Sequence, residues 1–499
     1  MTERRMRFEQ LADAIRPTAV IGALAGTLHG LAYDSRAVRP GTLFFAVPGD
    51  HADGHDFAAA AVAAGAVGLV VERALPELRV PQLVVQRTRD ALADAADAWF
   101  GGPSERLEVI GVTGTDGKTT TCFLAVAVLL AGGRNPGMIG TVDLRIGDRQ
   151  VANDSRATTP ESLELQGLLA EMVEAGNDAA VMEATSIGLA QSRTRNCRFR
   201  IGIVTNLTSE HLEFHGTLDA YREAKARLID EAPIAILNAD DAEFDFFRSR
   251  ATGRVLTYAQ ETDADLRAAD VDAGPHGTVF TVVGPRWRGP VHLPLVGSFN
   301  VSNALAALAL AEAEGIDPDV AAVALGRVEP VPGRMERIDE GQTFGVVVDY
   351  AHTADALAKV LRVLRPLTAG RLLAVFGSAG ERDRVKRPAM GRAAAELADL
   401  LVVTDEDPRL EDPDVINAEI AAGARAAGAT DGERLFVIND RREAIRFALG
   451  QARAGDVVLL AGKGHEGSMI HGTEKRWWDE RQVARQELRA AGWGGTDER

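Results

Sequence analysis

The feature that most limits the fold is an alternation of short β-branched runs with alanine-rich helical stretches, from about residue 40 to the end of the chain. This pattern is typical of strands that helices cover on both faces of a sheet. At about 150 residues per domain, a chain of 499 residues suggests about three domains. The sequence therefore predicts an α/β protein with three domains, each large enough to bury its own core.

Clusters of glycine and proline suggest where these domains meet. Gly101-Gly102-Pro103-Ser104 suits a linker, and VEPVPGRMER concentrates both residue types before a new strand, FGVVVDYAH. We therefore predict an N-terminal domain at 1–104, a central domain at 105–331 and a C-terminal domain at 332–499. The last contains the strands LLAVFGS, DLLVVTDED, LFVIND and DVVLLAGKG, as in a doubly wound, Rossmann-like sheet.

Composition argues against several classes of partner. The chain has 55 basic and 72 acidic residues, a net charge of -17 that disfavours nucleic acid and anionic membranes. Two cysteines, Cys122 and Cys197, form neither a disulfide framework nor a tetrahedral metal site. The longest apolar run, 122–131, is shorter than the roughly 18 residues of a membrane span. We expect a soluble, cytoplasmic protein that neither binds nucleic acid nor inserts into a membrane.

The sharpest local motif is LEVIGVTGTDGKTTT, in which a strand and a glycine-rich turn lead into a helix that begins at Lys118. The backbone N–H groups of such a turn form a cradle for anions, and the lysine adds a mobile positive charge. The usual phosphate-loop consensus would need a glycine at Val112, so the match is to the variant G-T-x-G-K-T. We predict that the loop binds a nucleoside triphosphate and that Thr119 offers its hydroxyl to Mg²⁺.

Two further strands end in polar residues. NDAAVMEATS ends near Glu183, and FRIGIVTNLTSEH leads to Asn206 and His211. Because ligands gather beyond the carboxyl ends of parallel strands, we expect Lys118, Glu183 and His211 at one edge of the sheet. Mg²⁺ prefers oxygen ligands and tolerates a histidine, so this edge is predicted to hold phosphate and metal. Lys225, farther along, is by its spacing alone a surface lysine.

Further motifs occur in order along nearly the whole chain. They are DSR at 34–36, GTDGKTTT at 114–121, ATTPESLELQ at 157–166, MEATSIGLAQSR at 182–193, TNLTSEHLEFHGTLDAYREAKARL at 205–228, GSFNVSNALAAL at 297–308, GRMERID at 333–339, DYAHTADAL at 349–357, FGSAGERDRVKRP at 376–388 and GKGHE at 462–466. Together they resemble the Mur ligases of peptidoglycan synthesis, and within them the branch that adds the third stem-peptide amino acid to UDP-N-acetylmuramoyl-L-alanyl-D-glutamate.

The resemblance implies the organisation of the enzyme and its chemistry. The N-terminal domain would hold the UDP end of the substrate, the central domain would be a P-loop-type ATPase with a mostly parallel sheet, and the Rossmann-like C-terminal domain would receive the amino acid. ATP would be the co-substrate and two Mg²⁺ ions the cofactors. The product would be an amide, formed through an acyl phosphate. We expect small-molecule partners only, and a monomer.

The resemblance also assigns roles to residues. ATP would be bound by Gly114, Thr115, Asp116, Gly117, Lys118, Thr119, Thr120, Asn303, Asp349 and His352; the UDP-muramoyl dipeptide by Ser35, Thr158, Thr159, Thr185, Gln191 and Arg193; the amino acid by Arg382, Asp407, Arg409, Gly462 and Glu466; and the metals by Thr119, Glu183, His211 and Lys225. Lys118, Glu183, His211 and Lys225 would be the catalytic set. Lys225 would carry a carbamate, which turns a cation that repels Mg²⁺ into an oxygen donor.

Departures from the family pattern bear on the substrate. Family members that use meso-2,6-diaminopimelate carry D-N-P-R, where this chain has Glu406-Asp407-Pro408-Arg409. Arg409 can bind a distal carboxylate in bidentate fashion, whereas a carboxylate at Asp407 would repel it and favour a distal ammonium. Diaminopimelate carries both groups, so we predict it, with L-lysine and L-ornithine as alternatives. Ile187 replaces a histidine of the family and Ala354 a common proline.

Other functions remain open at this point. Another Mur-type ligase or a folylpolyglutamate synthetase would share the fold, but DSR, ATTPESLELQ and the Arg409 segment favour the third-residue enzyme. A non-catalytic ATP-binding switch would not need Glu183, His211 or Lys225. An NAD-binding dehydrogenase is disfavoured because the G-x-G-x-x-G of the C-terminal segment, GKGHEG at 462–467, follows the one strand there that no helical stretch follows.

Overall fold

The computed structural model describes residues 4–49, 52–153, 157–208, 210–274 and 277–494. The chain divides into two compact units. Unit 1 comprises Met1–Arg267, Gly284–Trp287 and Ser302–Ala321, and unit 2 comprises Ala268–Val283, Arg288–Val301 and Ala322–Arg499. Strands and helices alternate in both units, which confirms the predicted α/β class. The predicted boundaries at residues 104 and 331 stay predictions.

The first hundred residues form a small sheet covered on both faces. Its elements are β1 (Met6–Arg7), α1 (Phe8–Ile15), β2 (Ala19–Ile21), β3 (Thr27–Leu28), β4 (Gly30–Ala32), β5 (Thr42–Phe45), α2 (Ala58–Ala63), β6 (Ala66–Val71), β7 (Gln82–Val84) and α3 (Thr88–Phe100). The order of this five-stranded sheet is β2-β7-β6-β5-β4, in which only β2 runs antiparallel to its neighbour, and β1 and β3 form a separate two-stranded sheet. In β5, Leu43 and Phe45 enter one core and Phe44 enters the other, because successive side chains point to opposite faces.

The large sheet of unit 1 positions the predicted phosphate loop. Its elements are β8 (Glu108–Thr113), α4 (Lys118–Ala131), β9 (Pro136–Ile139), β10 (Asp143–Ile146), β11 (Arg149–Ala152), α5 (Ser162–Glu174), β12 (Ala179–Glu183), α6 (Ser186–Ala190), β13 (Phe199–Val204), α7 (Leu212–His215), α8 (Leu218–Glu231), β14 (Ile234–Asn238), α9 (Phe244–Arg250), β15 (Arg254–Ala259) and β16 (Leu266–Gly274). The order within unit 1 is β11-β10-β9-β12-β8-β13-β14-β15-β16, parallel from β9 to the first two residues of β16, Leu266 and Arg267; the rest of β16 belongs to unit 2.

The strand that leads into the loop lies between the two strands predicted to carry the site. Glu183 of β12 is in register with Val112 of β8, and Val204 of β13 is in register with Thr113. The carboxyl ends of the three strands are therefore adjacent. This confirms the predicted meeting of these strand ends at one edge.

After this sheet come β17 (Gly277–Val283) and β18 (Arg288–Leu293), an antiparallel hairpin, and then α10 (Ser298–Glu314) and α11 (Pro318–Leu325).

Among the described residues, every helix is too short or too polar to cross a membrane.

The C-terminal part of unit 2 is a second parallel sheet. Its elements are β19 (Glu336–Arg337), β20 (Gly345–Asp349), α12 (Ala354–Leu364), β21 (Leu372–Phe376), α13 (Lys386–Leu397), β22 (Leu400–Val403), α14 (Pro413–Ala426), β23 (Leu435–Val437), α15 (Arg441–Gln451), β24 (Val457–Ala461), β25 (Ser468–His471), β26 (Glu474–Trp477) and α16 (Glu480–Ala490). The order is β19-β20-β24-β21-β22-β23, with only β19 antiparallel. Alternate residues of β21 enter cores on opposite faces, which confirms the predicted Rossmann-like sheet.

Candidate functional site

The turn between β8 and α4 has a backbone that only glycine suits. Gly114 and Gly117 have φ angles of 146° and 82°. A Cβ on Gly114 would overlap the hydroxyl of Thr205, and one on Gly117 would overlap the side-chain oxygen of Asn303. Thr205 donates to the carbonyl of Asp116 at 2.6 Å. The end of β13 therefore holds the loop in place.

Two lysines meet at one carbonyl of this loop. Lys118 Nζ donates to the carbonyl oxygens of Gly114 and Thr115 at 3.0 and 2.7 Å, and Lys225 Nζ donates to that of Gly114 at 2.7 Å. The Lys225 side chain also lies over the ring of Tyr221, with Nζ 4.5 Å from the ring centroid. Burial, and after it the positive charge of Lys118, hold the pKa of Lys225 well below its ordinary value.

The prediction that Lys225 lies at the surface, made from its spacing, is wrong. The residue is only 1% exposed. It belongs to the face of α8 that is buried, together with Tyr221, Ala224 and Leu228. The charged residues that flank Lys225 in the sequence lie on the outer face of α8. Because of them, the sequence pattern around Lys225 predicts an exposed position.

Glu183 brings the phosphate loop and the next strand together. Its carboxylate accepts the Thr119 hydroxyl, which lies 3.0 Å from both oxygens. It also accepts the Thr141 backbone N–H at 2.7 Å and the Thr141 hydroxyl at 3.1 Å. A carboxylate and a hydroxyl at the start of a phosphate-loop helix are hard oxygen donors, so these residues fit Mg²⁺. Within the described ranges, no three Asp, Glu, His or Cys side chains are grouped so as to hold a metal by themselves.

His211 lies in a different setting from Glu183. Its side chain is 41% exposed, and its ring nitrogens lie 3.4 Å from Glu213 Oε1 and 3.8 Å from Glu210 Oε2. The backbone of His211 is left-handed, with a φ of 54°, directly before α7. No hydrogen bond or ion pair of His211 in the described structure reaches Glu183 or Lys118. Its role as a metal ligand stays a prediction.

Most of the residues predicted to grip the muramoyl dipeptide form one network beside Glu183. Thr159 donates its hydroxyl to the Glu183 carbonyl at 2.8 Å and lies 3.0 Å from the Thr185 hydroxyl. Arg193 donates to the Thr159 carbonyl at 2.9 Å and to Gln191 Oε1 at 2.8 Å. Thr159 thus connects the strand end that carries the carboxylate with Arg193.

Thr158 joins this network through Thr141, because the hydroxyl oxygens of the two residues lie 2.9 Å apart. Ser35 lies apart, at the start of a short 3₁₀ turn that Asp34 caps. Ile187, which replaces the family histidine, is half-buried in α6 and leaves no imidazole there.

Three of the residues predicted to bind ATP lie outside the phosphate loop, Asn303 in unit 1 and Asp349 and His352 in unit 2. Asn303 is buried beside the phosphate loop, where the Thr121 hydroxyl donates to its Oδ1 at 3.3 Å. Asp349 ends β20 and accepts the backbone N–H groups of Met335 and Ala351, each at 2.8 Å. His352 accepts a hydrogen bond from Lys386 Nζ at its backbone carbonyl, at 2.8 Å.

In unit 2, the residues predicted to bind the amino acid cluster after β22 and β24. Asp407 Oδ1 accepts Lys463 Nζ at 3.1 Å and the Ile470 N–H at 2.9 Å. Lys463 Nζ also donates to Glu466 Oε2 at 2.6 Å. Arg409 has a left-handed backbone, and its N–H donates to the Ile470 carbonyl at 3.0 Å. These bonds connect three of the predicted residues through β25.

Gly462 lies at the centre of a buried group that the sequence did not indicate. A Cβ on Gly462 would lie 2.8 Å from Glu406 Oε2, so the close approach requires glycine. Among the described residues, Glu406 Oε2 and Arg409 Nε are buried without a hydrogen-bond partner. Burial raises the pKa of Glu406. The only available signal for Glu406 is its place directly before Asp407.

Arg382 is exposed, and no described bond joins it to the predicted amino-acid-binding cluster.

Comparison with known proteins identifies the family. Three family models match the chain in order: the Mur ligase family catalytic domain over residues 27–100, the Mur ligase middle domain over 112–311, and the Mur ligase glutamate ligase domain over 333–464. A UDP-N-acetylmuramyl-tripeptide synthetase of Roseiflexus sp. (strain RS-1) is 48% identical, over 98% of this chain and 100% of that protein. The chain belongs to the Mur ligase family.

Other Mur ligases resemble this one over similar lengths. The UDP-N-acetylmuramoyl-L-alanyl-D-glutamate--2,6-diaminopimelate ligase of Geobacillus thermodenitrificans (strain NG80-2) is 44% identical over 91% of this chain and 94% of its own. A solved structure of a ligase with the same name has a TM-score of 0.67 at 34% identity, and covers 98% of this chain and 99% of that one. The resemblance to Mur ligases, and the three-domain fold it implied, are confirmed.

Proposed function

We propose that this Mur ligase joins meso-2,6-diaminopimelate to the D-glutamyl carboxylate of UDP-N-acetylmuramoyl-L-alanyl-D-glutamate, at the expense of ATP, during the cytoplasmic synthesis of a peptidoglycan precursor. One observation carries the proposal. Glu183 accepts the hydroxyl of Thr119 from the phosphate loop, and its backbone carbonyl accepts the hydroxyl of Thr159 from the dipeptide segment. An enzyme that transfers a phosphoryl group from ATP to a carboxylate must hold its nucleotide and its acceptor side by side. Glu183 is bonded to residues of both predicted binding segments, which supports this arrangement.

The phosphate loop would hold ATP through its backbone N–H groups and Lys118, which would exchange its present carbonyl partners for phosphate oxygens. Thr119 and Glu183, with His211 and a carbamate on Lys225, would hold two Mg²⁺ ions together with phosphate oxygens and water. When bound, these ions offset the negative charge that gathers as a carboxylate approaches a phosphate.

Carbamylation of Lys225 is part of the proposal because the amine is buried and its pKa is lowered. A neutral amine attacks CO₂, a C–N bond forms, and one proton leaves to give a carbamate anion. The anion would place a negative charge beside the Lys118 ammonium, which meets Lys225 at the Gly114 carbonyl. Lys118 would then face an opposite charge instead of a neutral amine.

The reaction would take place in two steps. A carboxylate oxygen of the substrate attacks the γ-phosphorus of ATP, and the bond to the leaving ADP breaks, which gives an acyl phosphate. The α-amine of the second substrate then attacks the acyl carbon, loses a proton, and expels inorganic phosphate. Arg193 and the Thr158–Thr159 pair would orient the dipeptide, and Lys118 with the loop N–H groups would stabilise charge on the transferred phosphoryl group.

The remaining assignments follow the domains. We assign the UDP end to residues 1–104 and Ser35, ATP to 105–331, and the amino acid to 332–499, in a monomer. Arg409 supports a distal carboxylate on the amino acid, because its buried Nε lacks a partner among the described residues. The Geobacillus relative, named as a diaminopimelate ligase, supports the same substrate.

The direct test is a comparison of amino acids. The purified chain is supplied with ATP, Mg²⁺, the UDP-muramoyl dipeptide and either meso-diaminopimelate, L-lysine or L-ornithine, and phosphate release and the amide product are measured. We expect the highest kcat/KM with diaminopimelate, and no amide product from Lys118→Met. A preference for lysine or ornithine would overturn the substrate. Absence of turnover with all three would overturn the ligase itself and favour a nucleotide switch.

A further inference from the structure

Lys463 is a buried ammonium with every donor occupied. Its side chain is 0% exposed, and the residue lies two positions after the end of β24. Nζ donates to Asp407 Oδ1 at 3.1 Å, to Glu466 Oε2 at 2.6 Å and to the Ser468 carbonyl at 2.7 Å. An ammonium has three N–H donors, so none remains for a ligand. Lys463 therefore acts on its neighbours and does not bind substrate itself.

The neighbours are two carboxylates in the cluster assigned to the amino acid. Asp407 is 7% exposed, and its Oδ1 is further fixed by the Ile470 N–H at 2.9 Å. Glu466 is more open, with its side chain 34% exposed. In the described structure, the second oxygen of each carboxylate makes no hydrogen bond. Lys463 thus fixes one oxygen of each group and leaves the other available.

The charge of Asp407 needs such compensation. A nearly buried carboxylate without a counter-charge is costly, and it would repel a second carboxylate brought close to it. Arg409, two residues later, offers a guanidinium to a distal carboxylate. With Lys463 at 3.1 Å, part of the negative charge of Asp407 is offset, so this residue repels a distal carboxylate less and can serve as a hydrogen-bond acceptor, as an asparagine would.

We propose that Lys463 is a positioning residue that determines specificity: by offsetting the charge of Asp407 and holding Glu466, it lets the pocket accept an amino acid whose distal end carries a carboxylate. This inference rests on the proposed function. It predicts that Lys463 affects diaminopimelate far more than L-lysine, because the two differ at the distal end by one carboxylate.

The test uses three variants of the full-length protein: Lys463→Met, Asp407→Asn and the double variant. For Lys463→Met we expect the KM for diaminopimelate to rise at least about tenfold, with the KM for ATP and for L-lysine changed less than about threefold. Asp407→Asn changes a residue of the binding site and serves as the reference for the double variant; we expect its KM for diaminopimelate not to fall by tenfold or more. The double variant should recover most of the loss, since an amide needs no counter-charge.

A matched control removes a cation from another nearly buried aspartate of the same sheet. Arg371, just before β21, pairs with Asp456 at 2.8 Å. Arg371→Met should lower the melting temperature without changing the ratio of the two amino-acid KM values. This ratio separates a positioning role from a loss of stability.

Several outcomes would overturn the inference while the proposed function stands. These are an equal rise in KM for diaminopimelate and L-lysine in Lys463→Met, no recovery in the double variant, or a fall of tenfold or more in KM for diaminopimelate in Asp407→Asn. If Lys463→Met does not fold, the KM of Asp407→Asn for diaminopimelate tests the inference instead. A wild-type protein that turns over none of the diamino acids would instead overturn the proposed function.

Discussion

At the scale of single residues, Lys225 has the most unusual environment of the site. Its amine is buried against the Gly114 carbonyl and the Tyr221 ring. We expect Lys225→Ala to lower kcat by on the order of 100-fold or more, since it removes the anion proposed to bind metal. Acetate or another small carboxylic acid should restore part of the activity. Lys475→Ala, which removes an exposed lysine, is the control and should retain full activity. Full activity of Lys225→Ala would contradict the carbamate.

The lowered pKa of Lys225 also predicts how the carbamate should depend on pH. The folded protein keeps this amine neutral at pH values where an ordinary lysine is protonated, because burial disfavours the charged form. We therefore expect carbamate to persist near neutral pH, and to disappear only as the pH falls through the depressed pKa. Isotope-labelled bicarbonate and NMR would detect the carbamate, with Lys225→Ala as the blank. A signal confined to strongly alkaline pH would contradict this reasoning.

At the scale of elements, the turn from β8 to α4 depends on its glycines. A Cβ at Gly114 would overlap the Thr205 hydroxyl, which fixes the Asp116 carbonyl. We expect Gly114→Ala to weaken ATP binding by at least about tenfold while the protein stays folded, because only the loop is displaced.

Gly133, near the other end of α4, provides the control for this change. It also has a left-handed φ, of 80°, but a Cβ there meets nothing within 4 Å. Gly133→Ala should therefore cost about 1 kcal/mol of stability and leave ATP binding intact. Calorimetric titration of ATP and melting temperatures would distinguish the two variants, and equal losses of affinity would show that the overlap at Gly114 does not matter.

The sequence predicts these elements better than it predicts their contacts. The periodicity of apolar residues and the spacing of glycines predict the strand, turn and helix around Lys118 and the strands β21 to β24. Parallel topology predicts that β8, β12 and β13 are adjacent. The burial of Lys225 depends on which face of α8 is covered. The pairing of Asp407 with Lys463 joins residues 56 positions apart. Local patterns do not encode such contacts.

At the scale of the whole molecule, the two compact units have different hydrophobic cores. The sheet β20 to β24 is covered on both faces by clusters that lie entirely in unit 2, and the clusters around β8 and β12 lie in unit 1. Beneath the amino-acid cluster, Arg441 and Glu480 form a pair in which both side chains are 0% exposed, at 2.6 Å. Arg441 also donates to the carbonyls of Asp405 and Ala461, at 3.0 and 2.7 Å, so it ties the ends of β22 and β24 to α16.

Replacement of Arg441 by methionine should therefore destabilise one unit and spare the other. It leaves the Glu480 carboxylate buried and loses two carbonyl partners, which we expect to cost unit 2 about 3–5 kcal/mol. The phosphate loop lies in unit 1, whose core this change does not touch. In scanning calorimetry of the full chain, one part of the unfolding transition should shift to lower temperature and the rest should stay. Arg446→Met, on the exposed face of the same helix, should shift neither part. A uniform shift of the whole transition would mean that the two cores unfold as one.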